Sequence, residues 1–169
     1  MIIVDTLVEG WPAHDWANLA ERAATAALAA SPQADLATAS GSVEIAVRLT
    51  SDQEVQTLNR QYRQQDKPTN VLSFPMVQPD LIEALANTDD GEILLGDVVL
   101  ALGVCTTEAA VRGVPLADHA AHLIVHGMLH LLGHDHMHDA PAEAMEAIER
   151  AALAAMDLHD PYQDEEQLR

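Results

Sequence analysis

The segment Pro115–Leu132 constrains the fold most, because it predicts a helix that is too apolar for the surface and yet carries several histidines. Leu129, Leu131 and Leu132 favour burial of this helix, and Pro115 suits a first helical turn. Imidazoles that are buried need partners, because an unpaired polar group is costly in an apolar interior. The sequence therefore predicts a buried helix whose polar side chains meet groups from elsewhere in the chain.

Two histidines of this helix have the spacing of metal ligands. His126 and His130 are four residues apart, so their side chains lie one turn apart on one face. Gly133 suits a left-handed helix end and lets the chain double back, so that His136 can supply a third nitrogen. Three neutral imidazoles suit Zn²⁺, and three protein ligands leave a position for water, as in a catalytic site. The sequence predicts one Zn²⁺ per chain, bound by these three histidines.

The neighbouring histidines are interpreted differently. His122 continues the stripe four residues before His126, and we expect it to support the ligands or the core. His119 and His138 are expected to be exposed. His134 stays open as an alternative ligand, because its direction after the helix end is not fixed by spacing.

The 169 residues, 49% of them hydrophobic, fit one folded domain, which we expect over residues 1–160 with a polar tail at 161–169. The single Cys105 has no internal disulfide partner, and the first residues lack the pattern of a signal peptide. No segment has the roughly 18 apolar residues of a membrane span. We therefore expect a cytoplasmic protein without a membrane partner.

Strand patterns come early in the chain and helix patterns come late. The predicted strands are Ile2–Val4, Val43–Leu49, Val71–Phe74 and Ile93–Leu100. The predicted helices are His14–Ala30, Ser51–Arg63, Val104–Arg112, Pro115–Leu132 and Pro141–Met156. Ser51 and Glu54 form a capping-box pattern, and Gly96 indicates a bulge or a close backbone approach. The fold class is α+β, with a mixed sheet of about four strands packed with about five helices.

Charge excludes a broad polyanion-binding surface. The chain has 8 basic and 27 acidic residues, a formal charge of −19. Arg60, Arg63 and Lys67 nevertheless lie close together, with Asp66 as the one acid among them. An anionic substrate would have to be bound at this local patch, against repulsion from the rest of the molecule.

Three blocks of sequence resemble the signatures of one family. HGMLHLLGHDH, from His126 to His136, closely resembles a signature of the YbeY family, which comprises single-strand-specific, metal-dependent endoribonucleases implicated in ribosomal RNA maturation. The blocks Leu58–Pro75 and Leu95–Val99 resemble the family's other signatures, whereas His134 stands where the family usually has Tyr. The resemblance implies an α+β fold with a zincin-like core and a central metal-binding helix.

The resemblance also implies an activity, partners and site residues. It implies a zinc-dependent endoribonuclease in ribosomal RNA maturation and ribosome quality control, in which a metal-activated water attacks the phosphodiester. The expected partners are single-stranded RNA, as in a ribosomal RNA precursor, and the ribosomal subunit, but not DNA. Arg63 matches the family's functional arginine and is predicted to contact phosphate, with a salt bridge to Asp66 or Glu54 as the alternative. Asp135 would orient a histidine or act as a base, and orientation is favoured.

Other functions remain as alternatives. Zincin proteases have a glutamate directly after the first histidine as general base, and this chain has Gly127 there, which argues against peptide hydrolysis. A non-catalytic ribosome-assembly factor in which zinc only stabilises the turn at Leu132–His136 is the main alternative. A metallohydrolase with another substrate is a further one.

Overall fold

Four strands form one mixed sheet whose order differs from the order along the chain. The computed structural model describes residues 2–37, 42–77, 92–134, 139–158 and 160–161. Its strands are β1 (Ile2–Val8), β2 (Ser42–Thr50), β3 (Val71–Pro75) and β4 (Glu92–Ala101). The sheet order is β1-β2-β4-β3, in which β1, β2 and β4 run parallel and β3 runs antiparallel to β4. The predicted mixed sheet is confirmed.

Within the described residues, five helices surround this sheet. They are α1 (Trp16–Ala30), α2 (Asp52–Arg63), α3 (Leu102–Arg112), α4 (Leu116–Leu131) and α5 (Asp139–Ala155). A short 3-10 helix, Ala34–Ala37, follows α1. The α+β class is confirmed. No helix in the described ranges has the length and apolar character needed to cross a membrane.

Two apolar clusters hold the layers together. The larger lies between one face of the sheet and the helices α1, α4 and α5, and it contains the alternating residues of β2 that the period-two pattern predicted to be buried, namely Val43, Ile45, Val47 and Leu49. The smaller cluster joins α2 to the opposite face and contains Val55, Leu72 and Val99. Helix α4 therefore lies in the main core while α2 lies across the sheet from it.

Local signals set most helix ends. The Ser51 hydroxyl accepts a hydrogen bond from the Glu54 amide at 3.1 Å, so the predicted cap of α2 is confirmed. The reciprocal half of the capping box is wrong, because the Glu54 carboxylate binds Arg48 at 2.7 Å and Thr50 at 2.6 Å instead of returning to the cap. At the other end, Gln64 adopts a left-handed conformation and terminates α2 just after Arg63.

Strand β1 extends four residues beyond its predicted end at Val4. Its register with β2 continues to the pair Val8–Leu49, so backbone pairing sustains a strand that the side-chain pattern does not show. Of the predicted polar tail, residues 162–169 lie outside the described residues, and the single-domain boundary at 160 stays a prediction.

Two glycines allow close packing around the β3–β4 pair. Gly96 has φ +142°, and a Cβ there would clash with the Phe74 carbonyl oxygen. The register also shifts at this point, which confirms the predicted bulge. Gly127 in α4 faces β4, where a Cβ would come within 2.7 Å of Val98 Cγ1. Helix α4 thus lies directly against the sheet near the edge strand β3.

Candidate active site

Helix α4 directs two imidazoles into the same space. The Nε2 atoms of His126 and His130 lie 3.0 Å apart, and their ring centroids are separated by 4.6 Å. Two nitrogens bound to one tetrahedral Zn²⁺ at 2.0–2.1 Å are roughly 3.3 Å apart, so only a small adjustment separates this pair from a ligating geometry. The donor chemistry and the convergence of the two nitrogens both fit a zinc ion.

A buried carboxylate from α5 supports these imidazoles from behind. Glu149 is 0% exposed and accepts hydrogen bonds from His126 Nδ1 at 2.5 Å and from His122 Nε2 at 3.2 Å. Burial alone would raise the pKa of Glu149, but the hydrogen bonds and the attraction of the two histidines lower it to about 2. His122 thus contacts the residue that supports a candidate ligand, as predicted for it.

The prediction that His119 is exposed is wrong. His119 is 3% exposed, and its Nε2 donates to Glu108 at 2.9 Å. The reason is that α3 packs against α4 and brings Glu108 to a face that the helix pattern alone leaves open. Burial lowers the pKa of His119, although the hydrogen bond to Glu108 acts in the opposite direction. His138 lies outside the described residues.

The turn after α4 directs His134 towards the segment that follows α1. Gly133 has φ +97°, which confirms the predicted left-handed helix end. His134 Nε2 donates to the Gln33 side-chain oxygen at 2.9 Å, and burial lowers the pKa of this histidine. The Nε2 atom of His134 is therefore occupied by Gln33 in this structure.

Two of the predicted site residues, the third ligand His136 and the catalytic candidate Asp135, lie outside the described residues. Within the described ranges no group of three or more His, Cys, Asp or Glu side chains is arranged to hold a metal. The described part of the site therefore contributes a pair of candidate ligands, and the third remains a prediction.

Arg63 lies at the end of α2 and reaches across to the edge strand. Its Nη2 donates to the Ser73 carbonyl at 2.6 Å, and its guanidinium carbon lies 5.7 Å from the Phe74 ring centroid. Neither acid proposed as its alternative partner is placed for that role: Glu54 binds Arg48, and Asp66 lies 4.0 Å from Arg60. The guanidinium is fixed by backbone and ring contacts, and none of the described carboxylates forms an ion pair with it.

One cavity of about 570 Å³ joins these parts of the molecule. Its lining includes Arg63, Lys67, Ser73, His126, His130 and His134. The cavity thus brings two of the three residues of the charge patch together with both described candidate ligands. Arg60 is not among the lining residues and forms its contact with Asp66 on the exposed side of α2.

The glutamate and glutamine partners of the histidines were not predicted from the sequence. Glu149, Glu108 and Gln33 come from α5, α3 and the segment after α1, at distances along the chain that no motif spans. One signal was present for Glu149: it shares a helical stripe with Met145, Ala152 and Met156, all buried. A charged residue on an apolar stripe indicates a buried partner.

Comparison with known proteins agrees with these features. The sequence matches the family described as Endoribonuclease YbeY over residues 11–157. The protein of that name from Rhizorhabdus wittichii is 63% identical over 148 residues, which cover 88% of each chain. The one from Sphingopyxis alaskensis is 61% identical over 157 residues, covering 92% of this chain and 94% of the relative.

The fold has a counterpart among solved structures. The solution structure of a Thermotoga maritima protein has a TM-score of 0.55 and 22% identity, and the match covers 94% of this chain and 98% of that protein. At this identity the likeness bears on the fold alone. The family match and the two close relatives, together with the signature residues around the cavity, confirm the predicted resemblance: this chain belongs to the endoribonuclease YbeY family.

Proposed function

We propose that this chain is a zinc-dependent endoribonuclease that hydrolyses single-stranded RNA. The observation that carries the proposal is the convergence of His126 and His130 Nε2, 3.0 Å apart, on the cavity that Arg63 also lines. The name Endoribonuclease YbeY, shared by the close relatives, supports RNA as the substrate. A proposed metal site and a fixed cation in one cavity are two groups that can stabilise the negative charge that develops in phosphodiester hydrolysis.

His126, His130 and His136 would hold the metal. Neutral imidazoles are good ligands for Zn²⁺, and a three-ligand set leaves room for water. When bound, Zn²⁺ supplies a water whose pKa is lowered towards about 7 and a charge that polarises a phosphate oxygen. Asp135, directly before His136, is proposed to orient a histidine of this site.

Arg63 would bind the phosphate. Its planar guanidinium has five N–H donors, and the bond to Ser73 uses one of them, so a fork can be presented to phosphate oxygens. The Phe74 ring beneath the guanidinium and the Ser73 carbonyl together restrict its position before substrate arrives. Lys67, on the same cavity, would add a point charge for a neighbouring phosphate.

The same proposal extends to the biological setting. We propose a ribosomal RNA precursor as the substrate, with roles in ribosomal RNA maturation and ribosome quality control, the ribosomal subunit as the partner and the cytoplasm as the location. The formal charge of −19 supports the need for such a partner, because a repulsive surface disfavours tight binding of free RNA.

Packing around Gly127 argues against peptide hydrolysis. A protease of the zincin type needs glutamate at this position, but even a Cβ there would come within 2.7 Å of Val98 Cγ1. A glutamate side chain at this position would start in close contact with Val98 of β4. Besides a metallohydrolase with another substrate, the main alternative is a zinc-stabilised assembly factor without activity.

Cleavage assays separate this alternative from the proposed enzyme. Purified protein with zinc is incubated with a single-stranded RNA, the same RNA in a duplex, and a DNA strand of equal sequence. We expect internal cleavage of the single-stranded RNA and at least a tenfold lower rate on the other two. His130→Ala, purified identically, should be inactive, which excludes a contaminating nuclease. Equal cleavage by wild type and variant, or none by either, would contradict the proposal.

A further inference from the structure

Among the described residues, Glu149 is the only carboxylate that is fully buried, and the proposed chemistry does not use it. It lies on α5, which packs against α4 and reaches the histidine stripe from the side remote from the strands. Burying a carboxylate is costly unless its oxygens are hydrogen-bonded, and the partners of Glu149 are histidines of α4.

The two oxygens of Glu149 have different partners on α4. Oε1 accepts from His126 Nδ1 at 2.5 Å, and Oε2 accepts from His122 Nε2 at 3.2 Å. Carboxylate oxygens are hydrogen-bond acceptors, so in these two contacts the imidazole nitrogens are the donors and carry hydrogen. The second bond prevents the carboxylate from rotating away from His126.

The bond to Nδ1 determines what the other side of the His126 ring can do. A neutral imidazole has one N–H, and with that hydrogen on Nδ1 the Nε2 atom keeps its lone pair. That Nε2 is the atom that faces His130 Nε2 at 3.0 Å on the cavity side. The ring is thereby held in the tautomer and the orientation that a metal ligand requires.

We propose that Glu149 is the positioning residue of the metal centre: it fixes His126 as an Nε2 ligand, and its negative charge offsets part of the charge of the bound cation. His122 acts through Glu149 by holding its second oxygen. The inference rests on the proposed function, since it takes His126 as a ligand, but its consequences are measured without RNA.

A second histidine–glutamate pair on the same helix provides a control. His119 donates to Glu108 at 2.9 Å, seven residues before His126; the imidazole of this pair is buried, whereas the Glu108 side chain is 37% exposed. If Glu149 only fastened α5 to α4, its replacement would resemble replacement of Glu108, with a change in stability and none in metal affinity.

The first measurement needs no variant. Imidazole ¹⁵N–¹H correlation spectra of the wild-type chain without metal report which nitrogen of His126 carries the proton. We expect the Nδ1–H tautomer, with Nε2 unprotonated. An Nε2–H tautomer for His126 at neutral pH would overturn the inference.

The second measurement is the affinity for Zn²⁺ alone, from competition with a chromophoric chelator. Glu149→Gln should weaken zinc binding about 10- to 100-fold, because a side-chain amide cannot accept from both imidazoles. Glu149→Asp keeps the negative charge but has a shorter side chain, so its zinc affinity should lie between those of wild type and Glu149→Gln. Glu108→Gln should stay within about threefold of wild type, and urea unfolding without metal checks that each variant is folded.

The outcomes separate this inference from the proposed enzyme. A Glu149→Gln affinity within threefold of wild type, or an equal loss in Glu108→Gln, overturns the positioning role even if RNA cleavage is zinc-dependent. A selective loss in Glu149→Gln supports the role even if no RNA is cleaved. A wild-type chain that binds no zinc contradicts both.

Discussion

At the scale of single residues, one helix carries four histidines whose surroundings differ. His119 meets Glu108, His122 meets Glu149, and His126 meets both Glu149 and His130. The spacing of His126 and His130 was sufficient to predict that their side chains converge. The helix pattern could not predict that His119 is buried, because its burial depends on a carboxylate from another helix.

The buried His119 gives a pH dependence whose sign follows from its surroundings. Burial lowers its pKa in the folded chain, whereas the unfolded chain titrates near the ordinary value of about 6.5. As pH falls below that value the unfolded state takes up the proton first, so the free energy of unfolding decreases. We expect His119→Gln to reduce this decrease between pH 7 and pH 5.5, as measured by urea denaturation of the metal-free chain.

The matched comparison for this prediction is the wild-type chain at the same two pH values. The variant should be less stable at pH 7 by about 1 kcal/mol, the size of a typical hydrogen bond. If the free energy of unfolding changed equally with pH in the two proteins, His119 would not contribute to the pH dependence of stability.

Arg63 should affect catalysis without affecting the metal. Arg63→Ala removes the proposed phosphate contact and should lower kcat by about 100-fold or more, a size seen when one transition-state donor is lost. Zinc stoichiometry should not change, because no described contact joins Arg63 to the histidines. Elemental analysis and cleavage rates, measured on the same preparation, test both statements.

Arg63→Lys provides the control for charge. Lysine keeps the positive charge but lacks the planar fork, so we expect only partial activity. Full activity in Arg63→Ala would indicate that the contacts with Ser73 and Phe74 are structural and that another group binds the phosphate.

At the scale of elements, the site depends on how closely α4 approaches β4. Gly127→Ala places a methyl group 2.7 Å from Val98 Cγ1, and overpacking of this kind costs about 1–3 kcal/mol. Alanine is better than glycine within a helix by about 1 kcal/mol, which offsets part of that cost. We expect a net loss of up to about 2 kcal/mol in the free energy of unfolding, measured in urea.

A second substitution tests the cause of that loss. Val98→Ala removes the opposing methyl groups, so the double variant should be more stable than the sum of the two single effects predicts. Strict additivity, or a stabilised Gly127→Ala chain, would show that this contact does not limit the approach of the helix.

Sequence patterns predicted the type of each element better than its extent or its neighbours. The alternation in β2 and the cap at Ser51 are local signals, and both were confirmed. The end of β1 was placed too early, because Asp5 and Leu7 on this strand are kept in register by the backbone of β2 rather than by burial. Likewise, Glu54 does not complete the predicted capping box, because Arg48 and Thr50 of β2 bind its carboxylate.

At the scale of the whole molecule, acidity limits how the chain can hold RNA. In the described part of the chain the cationic patch has at most three members, Arg60, Arg63 and Lys67, and the formal charge of the chain is −19. Three phosphate contacts on a single strand, at about 0.7 each, limit the slope of log K against log[salt] to about −2. We expect a slope between about −1 and −2 in oligonucleotide binding titrations, together with weak affinity.

A steep salt dependence would contradict this view of the surface. A slope beyond about −4 requires six or more neutralised phosphates, and the described patch does not provide them. Duplex DNA of equal length serves as the comparison and should bind more weakly still, because its charge density increases repulsion by the surrounding carboxylates.

One metal ion, held in part by the α4 imidazoles, is proposed to make this cavity a ribonuclease. The most direct measurement removes metal with a chelator, returns Zn²⁺ in steps and follows cleavage of a single-stranded RNA. Activity should be absent at first, rise in proportion to added zinc and level off at about one equivalent per chain, while His126→Ala/His130→Ala neither binds zinc nor cleaves. Full activity after chelation, or activity in the double variant, would contradict the account.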